Sequence, residues 1–258
     1  IKNNVSILDN CVIGKKGFGF FPDKLKNIRY PHIGIVIINE NCEIGCGATI
    51  DRGSMSNTEI GKNTFLDNQI HIAHNNKIGD NCIIREYVTI HRGTKDRKIT
   101  KVGSNCLLMA YSHVAHDTSL GDNVILSNNV QVGGHVTIED NVIIGGATPI
   151  HQFCKIGSLA MIGGMSAVEN DVIPYSLAIG NRAKVTGVNI IGLKRADYSK
   201  SQIREYSQAV ENIFTGETIT KEINKLTNND NPLIRKLLIF LNKKSSRGLC
   251  KYEKCFRF

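Results

Sequence analysis

Histidines in the middle of the chain recur at a spacing that would bring them together in a repeating fold. Five residues stand at, or next to, positions 18 residues apart: His116, Gly134, His135, His151 and Gln152. His116 precedes Asp117, and a histidine oriented by a carboxylate can act as a general base. The backbone N–H of Gly134 could hold a developing oxyanion. These residues predict acyl transfer to a hydroxyl or amine, without a nucleophilic Ser or Cys.

The same histidines allow two other interpretations. His113, His116 and His135 could supply three nitrogens to a zinc ion, as in a metal-dependent hydratase. They could also be polar side chains on a solvated edge of the fold. The glycine before His135 and the glutamine after His151 suit hydrogen bonding at least as well as metal binding. We therefore expect no metal and no cofactor.

A six-residue repeat sets the spacing of these residues. From Val102, twelve consecutive hexads begin with an aliphatic residue, and their fifth place holds Cys, Ser, Thr, Val or Ala. Gly, Asn and Asp collect in the places between, where a chain turns sharply. The pattern also covers 60–95 and is recognisable at 38–53 and 7–18. Such a period predicts a parallel β-helix with three hexads per turn.

In such a coil, residues 18 apart stack at about 4.8 Å, and first and fifth places point inward. No histidine of the repeats occupies either place, so we expect none of the eight in the core. Four cysteines do occupy fifth places, and we expect buried thiols there: Cys42, Cys82, Cys106 and Cys154.

The region of the proposed base occurs twice. Residues 49–80 parallel 89–122, so that TIDRG matches TIHRG and IAHN matches VAHD. His74 is thus the counterpart of His116, and each copy has a non-hexad loop after its RG. Only the second copy is followed by Gly134 and the histidines beyond it. We favour His116 as the base and keep His74 as the alternative.

A helical tail follows the coil. The repeats stop at Pro174, and apolar residues at three and four spacing then predict helices, with Ser199 or Ser201 as an N-cap. Residues 194–258 carry 14 Lys and Arg against 7 Asp and Glu, which is most of the net charge of +9. This predicts a solvated helical face or a docking patch for an acidic or phosphate-bearing partner.

The composition of the chain argues against several classes of protein. The chain has 258 residues, 41% apolar and 6% aromatic, with no Trp. No apolar run approaches the roughly 18 residues of a membrane span, and no nucleic-acid motif accompanies the basic residues. The start shows no secretion signal, and the eight cysteines form no CxxC pair. We expect a soluble cytoplasmic protein that binds no nucleic acid.

These motifs carry a family resemblance. Residues 84 to about 196, with IREYVTIHRGT, HVAHD, GGHV, HQFC, IGGMSAV and GVNIIGLKR, resemble UDP-N-acetylglucosamine 3-O-acyltransferases of lipid A biosynthesis, as does the tail with SSRG. Residues 1–82, with GFGFFPDK, IGCGATIDRG and DNQIHIAHN, resemble UDP-3-O-acylglucosamine N-acyltransferases. The chain looks like a natural or engineered fusion of the two.

The first resemblance implies a cytoplasmic homotrimer of left-handed parallel β-helices over 1–185, with a small basic helical domain over 186–258. It implies transfer of a 3-hydroxyacyl group from acyl carrier protein to the 3-hydroxyl of UDP-N-acetylglucosamine, in clefts between subunits. The alternatives are the N-acyltransferase reaction with His74 as base, and a hybrid of impaired activity, because the loop that grips the glucosamine in the first family is replaced.

The resemblance also assigns roles to single residues. His116 would be the base, Asp117 its partner and Gly134 the oxyanion donor. The residues implied for substrate and acyl binding are His91 beside the sugar, His113, His135, His151 and Gln152 along the cleft, Gly164 at the end of the acyl chain, and Asn189 and Arg195 near the nucleotide.

Overall fold

The computed structural model describes residues 1–253, and most of them form a three-sided coil of short parallel strands. The first sheet contains Ser6–Ile7, Glu43–Ile44, Phe65–Leu66, Ile83–Ile84, Leu107–Leu108, Ile125–Leu126, Ile143–Ile144, Met161–Ile162, Ser176–Ile179 and Lys184–Val188. The second contains Val12–Lys16, Thr49–Arg52, His71–Ile72, Thr89–Ile90, His113–Val114, Gln131–Val132 and Pro149–Ile150. The third contains Val36–Ile38, Thr58–Ile60, Asn76–Ile78, Thr100–Val102, Ser119–Leu120, Thr137–Ile138 and Lys155–Ile156.

The strand register confirms the predicted 18-residue turn. His113 pairs with Gln131, and Gln131 pairs with Pro149 in the next turn. Where a loop interrupts the hexads, the partners lie farther apart in sequence: Thr89 pairs with His113, 24 residues on, across the loop 92–98. The predicted excursion after each RG therefore leaves the stacking of the coil intact.

A second interruption near the N-terminus forms a hairpin on the outside of the coil. Phe20–Phe21 pairs antiparallel with Ile28–Arg29, and the chain rejoins the coil at Val36–Ile38. Because of this insertion, Ser6 pairs with Glu43, 37 residues later. We call residues 17–35 the cover hairpin, because it lies over one face of the coil.

Left-handed residues make the corners of the coil. The fourth place of the hexads adopts positive φ even where it is not glycine, at Asn105, Asp117, Asn123, His135 and Asn141, with φ between 57° and 60°. Asn and Asp tolerate this conformation better than other L-residues. The Asn and Asp that the sequence places between the aliphatic positions therefore ease many of the sharp turns, whereas other corners hold bulkier residues such as Tyr111 and Phe153 in the same conformation.

The core is a column of small and aliphatic side chains inside the coil. The predicted fifth-place cysteines Cys42, Cys82, Cys106 and Cys154 are at most 2% exposed, which confirms their placement. Their thiols are hydrogen-bond donors to the backbone, as between Cys82 Sγ and the carbonyl of Gly103 at 3.1 Å. Burial raises the pKa of the Cys154 thiol to about 12, so this cysteine is an inert packing group.

Four helices close the C-terminal end: α1 (Ile190–Arg195), α2 (Lys200–Thr215), α3 (Ile219–Leu226) and α4 (Pro232–Asn242). Ser199, one of the two predicted N-caps, forms a capping box with Gln202. The fully buried Tyr206 donates its hydroxyl to the carbonyl of Pro174 at 2.5 Å, and Lys243 pairs with Glu139 of the coil at 2.9 Å. The helices are therefore packed on the coil. Among residues 1–253, no helix is long and apolar enough to cross a membrane.

Replacing a corner residue tests the role of the left-handed positions. Asn123 is exposed and has φ of 58°. We expect Asn123→Val to lower the free energy of unfolding by about 1–2 kcal/mol, because a β-branched side chain disfavours this conformation. Asn123→Gly, which permits the same φ, should cost less. Urea unfolding of both variants checks this, and an equal loss in the two would contradict it.

Candidate active site

The second copy of the repeated region builds a tightly held carboxylate. Asp117 is fully buried, and its Oδ1 and Oδ2 accept the backbone N–H of Thr94 at 2.9 and 3.0 Å. Oδ2 also accepts the Thr94 hydroxyl at 2.6 Å, and Oδ1 accepts the N–H of Arg97 at 3.1 Å. The loop 92–98, which interrupts the hexads, therefore holds the Asp117 side chain in place.

This carboxylate orients His116. The distance between His116 Nδ1 and Asp117 Oδ2 is 3.0 Å. Burial acts to raise the pKa of Asp117, but hydrogen bonds from Thr94, His116 and Arg97 outweigh it and leave that pKa lowered. An ionised carboxylate holds the proton of His116 on Nδ1 and leaves a lone pair on Nε2. Since the side chain of His116 is 39% exposed, that lone pair can reach a substrate.

Gly134 lies directly beneath the imidazole of His116. A Cβ atom at position 134 would come within 2.6 Å of His116 Cε1 and 2.7 Å of Nε2, so any side chain there would displace the ring. No acceptor in residues 1–253 takes the N–H of Gly134. The predicted stacking of Gly134 on His116 is confirmed, and it leaves a free backbone donor beside the base.

His135 completes this side of the site. Its Nδ1 lies 3.0 Å from Asp96 Oδ2, and its Nε2 lies 3.8 Å from Asp117 Oδ2. The ring stacks on Phe153 with centroids 4.6 Å apart and meets the ring of His116 edge-on at 5.0 Å. His135 therefore lies next to the base, as the column predicted.

The potential metal ligands differ from the trio predicted for zinc. Within the described part of the chain, His116, Asp117 and His135 offer ligand atoms that lie within 4.8 Å of one another. His113 does not belong to this group. Asp117 already accepts hydrogen bonds from the loop on both oxygens. The carboxylate is thus committed to positioning, which makes the group a better hydrogen-bonded base than a set of metal ligands.

His91 and His113 form a neighbouring pair. Their ring centroids are 4.5 Å apart, and His113 Nδ1 lies 2.7 Å from the hydroxyl of Thr89. Burial, followed by the charge of His91, lowers the pKa of His113 to about 4. Burial also lowers the pKa of His91. Both rings are therefore neutral near pH 7 and can act as hydrogen-bonding groups without adding positive charge.

A cleft of about 270 Å³ joins the two copies of the repeat. It is lined by Phe18, Asp51, His71, Ala73, His74, His91, Arg92, Thr94 and His116. Of these lining residues, only His74, His91 and His116 were predicted as site residues from the sequence. Asp51 is the TIDRG counterpart of His91, so the internal repeat contained a signal for it. Phe18 comes from the cover hairpin, which no repeat pattern could place.

The first copy has a similar hydrogen-bond pattern, but its histidine is covered. Asn75 accepts the N–H of Ser54 at 2.7 Å, where Asp117 accepts that of Thr94, and its Oδ1 lies 2.7 Å from His74 Nδ1. His74 is only 3% exposed, and its ring lies 4.7 Å from that of His32, which is 5% exposed. Neither ring belongs to the core of the coil, as expected, but the cover hairpin, which includes His32, shields both rings from solvent.

The other predicted site residues lie toward the helices, outside this cleft. His151 and Gln152 are exposed after a strand of the second sheet, Gly164 is exposed after a strand of the first sheet, and Arg195 is exposed at the end of α1. Asn189 caps α1: its Oδ1 accepts the N–H of Gly192 and its Nδ2 donates to the carbonyl of Leu159, both at 3.0 Å. The structure thus brings His116, Asp117, Gly134 and His135 together and places the remaining predicted site residues farther along the same molecule.

Comparisons with known proteins give consistent results. A hexapeptide-repeat family of bacterial transferases matches residues 57–92 and 99–134, and the UDP-N-acetylglucosamine O-acyltransferase, domain 2, family matches 171–250. An acyl-[acyl-carrier-protein]–UDP-N-acetylglucosamine O-acyltransferase from Gloeothece citriformis is 39% identical over 213 residues, 82% of this chain and 76% of the relative. One from Sinorhizobium fredii is 40% identical over 84% of this chain and 78% of its own length.

Solved structures with a similar fold belong to the same family as these relatives. LpxA from Acinetobacter baumannii aligns with a TM-score of 0.76 and 32% identity over 95% of this chain and 99% of its own. LpxA from Bacteroides fragilis, described as a UDP-N-acetylglucosamine acyltransferase, aligns with a TM-score of 0.78 and 30% identity over 96% of both chains. Together with the three-sheet coil, this likeness confirms the predicted left-handed parallel β-helix followed by a few helices.

Histidines with lowered pKa values predict that stability depends on pH. Burial lowers the pKa of His32, His71, His74 and His91, and that of His113 to about 4. Below the ordinary histidine pKa of about 6.5, the unfolded chain binds protons that the folded chain does not. The free energy of unfolding therefore decreases as the pH is lowered. We expect the urea midpoint to drop from pH 7 to pH 5, and to drop less in His113→Gln. The same drop in both proteins would contradict this assignment.

Proposed function

This chain belongs to the family of acyl-[acyl-carrier-protein]–UDP-N-acetylglucosamine O-acyltransferases, and we propose that it performs this reaction with His116 as the general base. The enzyme moves an acyl group from acyl carrier protein to UDP-N-acetylglucosamine, a step of lipid A biosynthesis. The observation that carries the residue assignment is the stack of Asp117, His116 and the free N–H of Gly134 beside the cleft.

The reaction needs one base and one oxyanion donor. His116 Nε2 takes the proton of the sugar 3-hydroxyl while the oxygen attacks the thioester carbonyl of the donor. The N–H of Gly134 stabilises the negative oxygen of the tetrahedral intermediate, a contribution of about 2.7–4 kcal/mol for comparable donors. The carbonyl re-forms, the C–S bond breaks, and the imidazolium gives its proton to the leaving thiolate. Asp117 stabilises the imidazolium between the two transfers.

Three differences favour His116 over His74 as the base. His116 is 39% exposed at its side chain, whereas His74 is 3% exposed beneath the cover hairpin. His116 pairs with a carboxylate, whereas His74 pairs with the amide of Asn75. The position stacked on His116 in the next turn is a glycine, whereas Arg92 occupies the corresponding place after His74. Accessibility, the orienting carboxylate and oxyanion stabilisation therefore favour the second copy.

The remaining predicted site residues would bind different parts of the two substrates. We assign His91, His113 and His135 to the sugar and the reacting carbonyl, because they surround His116. His151 and Gln152 would line the substrate and acyl sites, and Gly164 would lie at the end of the 3-hydroxyacyl chain. Asn189 and Arg195 would approach the nucleotide at the start and end of α1. The basic helical segment 186–258 would dock the acidic acyl carrier protein.

The N-terminal segment is continuous with the rest of the coil. The strand Ile83–Ile84, at the junction of the two family resemblances, pairs with Phe65–Leu66 before it and Leu107–Leu108 after it. The 213 aligned residues of the Gloeothece relative exceed the 175 residues from 84 to 258, so the likeness extends into the first part. A fusion with an N-acyltransferase segment stays a hypothesis that the motifs of residues 1–82 support.

An apolar stripe on the outside of the first sheet supports a homotrimer. It comprises one outward residue on each of six successive turns: Phe65, Ile83, Leu107, Ile125, Ile143 and Met161. Phe65 and Ile83 are 45% and 52% exposed in the single chain. Contiguous apolar surface of this kind marks an interface. We propose that a second copy of this chain covers it in a trimer, working in the cytoplasm.

Two alanine variants test the assignment of the base. We expect His116→Ala to reduce acyl transfer to UDP-N-acetylglucosamine by about 10² to 10⁴-fold, and His74→Ala to retain most of it. The assay presents UDP-N-acetylglucosamine and a UDP-3-O-acylglucosamine acceptor separately with labelled acyl carrier protein. Unchanged transfer in His116→Ala, or loss in His74→Ala alone, would reverse the assignment. Circular dichroism of both variants verifies that the coil is intact.

A charge in the stripe tests the trimer. Ile83→Glu places a carboxylate where the neighbouring copy would pack, and we expect monomers, because a buried unpaired charge is costly. The matched control is Ile239→Glu, at a residue of α4 that is 57% exposed and outside the stripe. Sedimentation equilibrium of the unaltered protein should give a trimer. A monomeric unaltered protein, or equal dissociation of both variants, would refute this interface.

A further inference from the structure

Arg92 is a cation in the catalytic cleft that has no acidic partner. It is half-buried and lines the cleft together with His116. Its Nη1 donates to the carbonyl of the adjacent Gly93 at 2.8 Å. Among residues 1–253, no carboxylate oxygen lies within 4.0 Å of its guanidinium. The cleft carboxylate, Asp51, is already paired with Lys15. The positive charge of Arg92 is therefore not neutralised by the protein.

Other arginines of the coil are engaged differently. Arg52, the counterpart of Arg92 in the first copy, donates its Nε to the carbonyl of Gly34 at 2.8 Å and so ties the end of the cover hairpin to the coil. Arg97 binds the carbonyl of Asp117 at 3.0 Å. Arg85 pairs with Asp67 at 3.0 Å. Each of these arginines holds a distant part of the chain or pairs with a carboxylate. Arg92 binds only the carbonyl of the next residue, a contact that gives its charge no structural role.

The register fixes where this charge lies relative to the base. Ile72 pairs with Ile90 and Ile90 with Val114, so Arg92 stacks between His74 and His116, about 4.8 Å from each along the coil. It lies on the side of His116 opposite to Gly134. The neighbouring rings of His71 and His91 have lowered pKa values because of burial. Arg92 is thus the fixed cation of this half of the cleft.

A guanidinium in such a place suits a phosphate group. Its planar fork of N–H donors matches two phosphate oxygens, and a partly buried cation gains most from a charged partner. Both substrates of the proposed reaction carry phosphate: the diphosphate of the UDP-sugar, and the phosphodiester of the pantetheine arm that carries the acyl group. We propose that Arg92 binds substrate phosphate oxygens in the cleft. This inference rests on the proposed function.

Steady-state kinetics of two variants test the proposal. Arg92→Gln removes the charge and Arg92→Lys keeps it without the fork. The matched control is Lys95→Gln, at an exposed residue of the same loop and outside the cleft lining. We expect Arg92→Gln to raise KM for one substrate by about ten- to a hundredfold, with a smaller rise in Arg92→Lys and none in the control. A rise for UDP-N-acetylglucosamine identifies the diphosphate, and a rise for acyl carrier protein identifies the pantetheine phosphodiester.

Binding measurements separate this inference from the proposed function. Calorimetry with UDP and with 4′-phosphopantetheine should show weaker binding of one of them to Arg92→Gln. Unchanged KM values for both substrates, or a loss confined to kcat, would overturn the phosphate assignment. If the unaltered enzyme transfers no acyl group, the proposed function fails, and the calorimetry still decides whether Arg92 binds phosphate.

Discussion

The backbone corner at the fourth place of each hexad is the constraint on which the rest of this molecule depends. Nearly every corner has a residue with φ near 60° there, and Asn is the commonest residue at these corners. Asp117 and His135 occupy two of them, with φ of 59° and 60°. The positions that turn the chain also aim the orienting carboxylate and the histidine beside the base. The backbone positions of the site are therefore set by the repeating scaffold, and the loop 92–98 adds the hydrogen bonds that hold Asp117.

The internal repeat shows how small changes on one scaffold give two different environments. In both copies a residue after the histidine accepts an N–H from the RG loop, and its own N–H binds a threonine hydroxyl, Thr58 or Thr100, at 2.9 Å. What differs is the chemistry at equivalent places. Asp117 replaces Asn75, so one histidine faces a negative charge and the other a neutral amide. The cover hairpin then removes His74 from solvent and leaves His116 open.

The repetitive part of the structure could be predicted from sequence, whereas the interruptions could not. The hexad period fixed the register, the inward cysteines and the stacking of Gly134 on His116, because each follows from counting residues. The grip of Thr94 and Arg97 on Asp117 depends on a loop that has no period. The burial of His32 and His74 depends on a hairpin outside the repeats. Arg92 carried no signal, since an arginine after a histidine is ordinary until its neighbours are known.

The arrangement of charge around His116 suggests how binding and proton transfer are linked. Asp117 lies behind the imidazole, with Oδ2 at 3.0 Å from Nδ1, while the guanidinium of Arg92 belongs to the adjacent turn on the other side of the ring from Gly134. With an unneutralised guanidinium in the cleft, the imidazolium that forms during attack meets a like charge. A phosphate held by Arg92 removes that repulsion. In the proposed reaction the imidazolium therefore forms beside a neutralised arginine once the phosphate-bearing substrate occupies the cleft, so that adjacent turns of the coil link substrate binding to proton transfer.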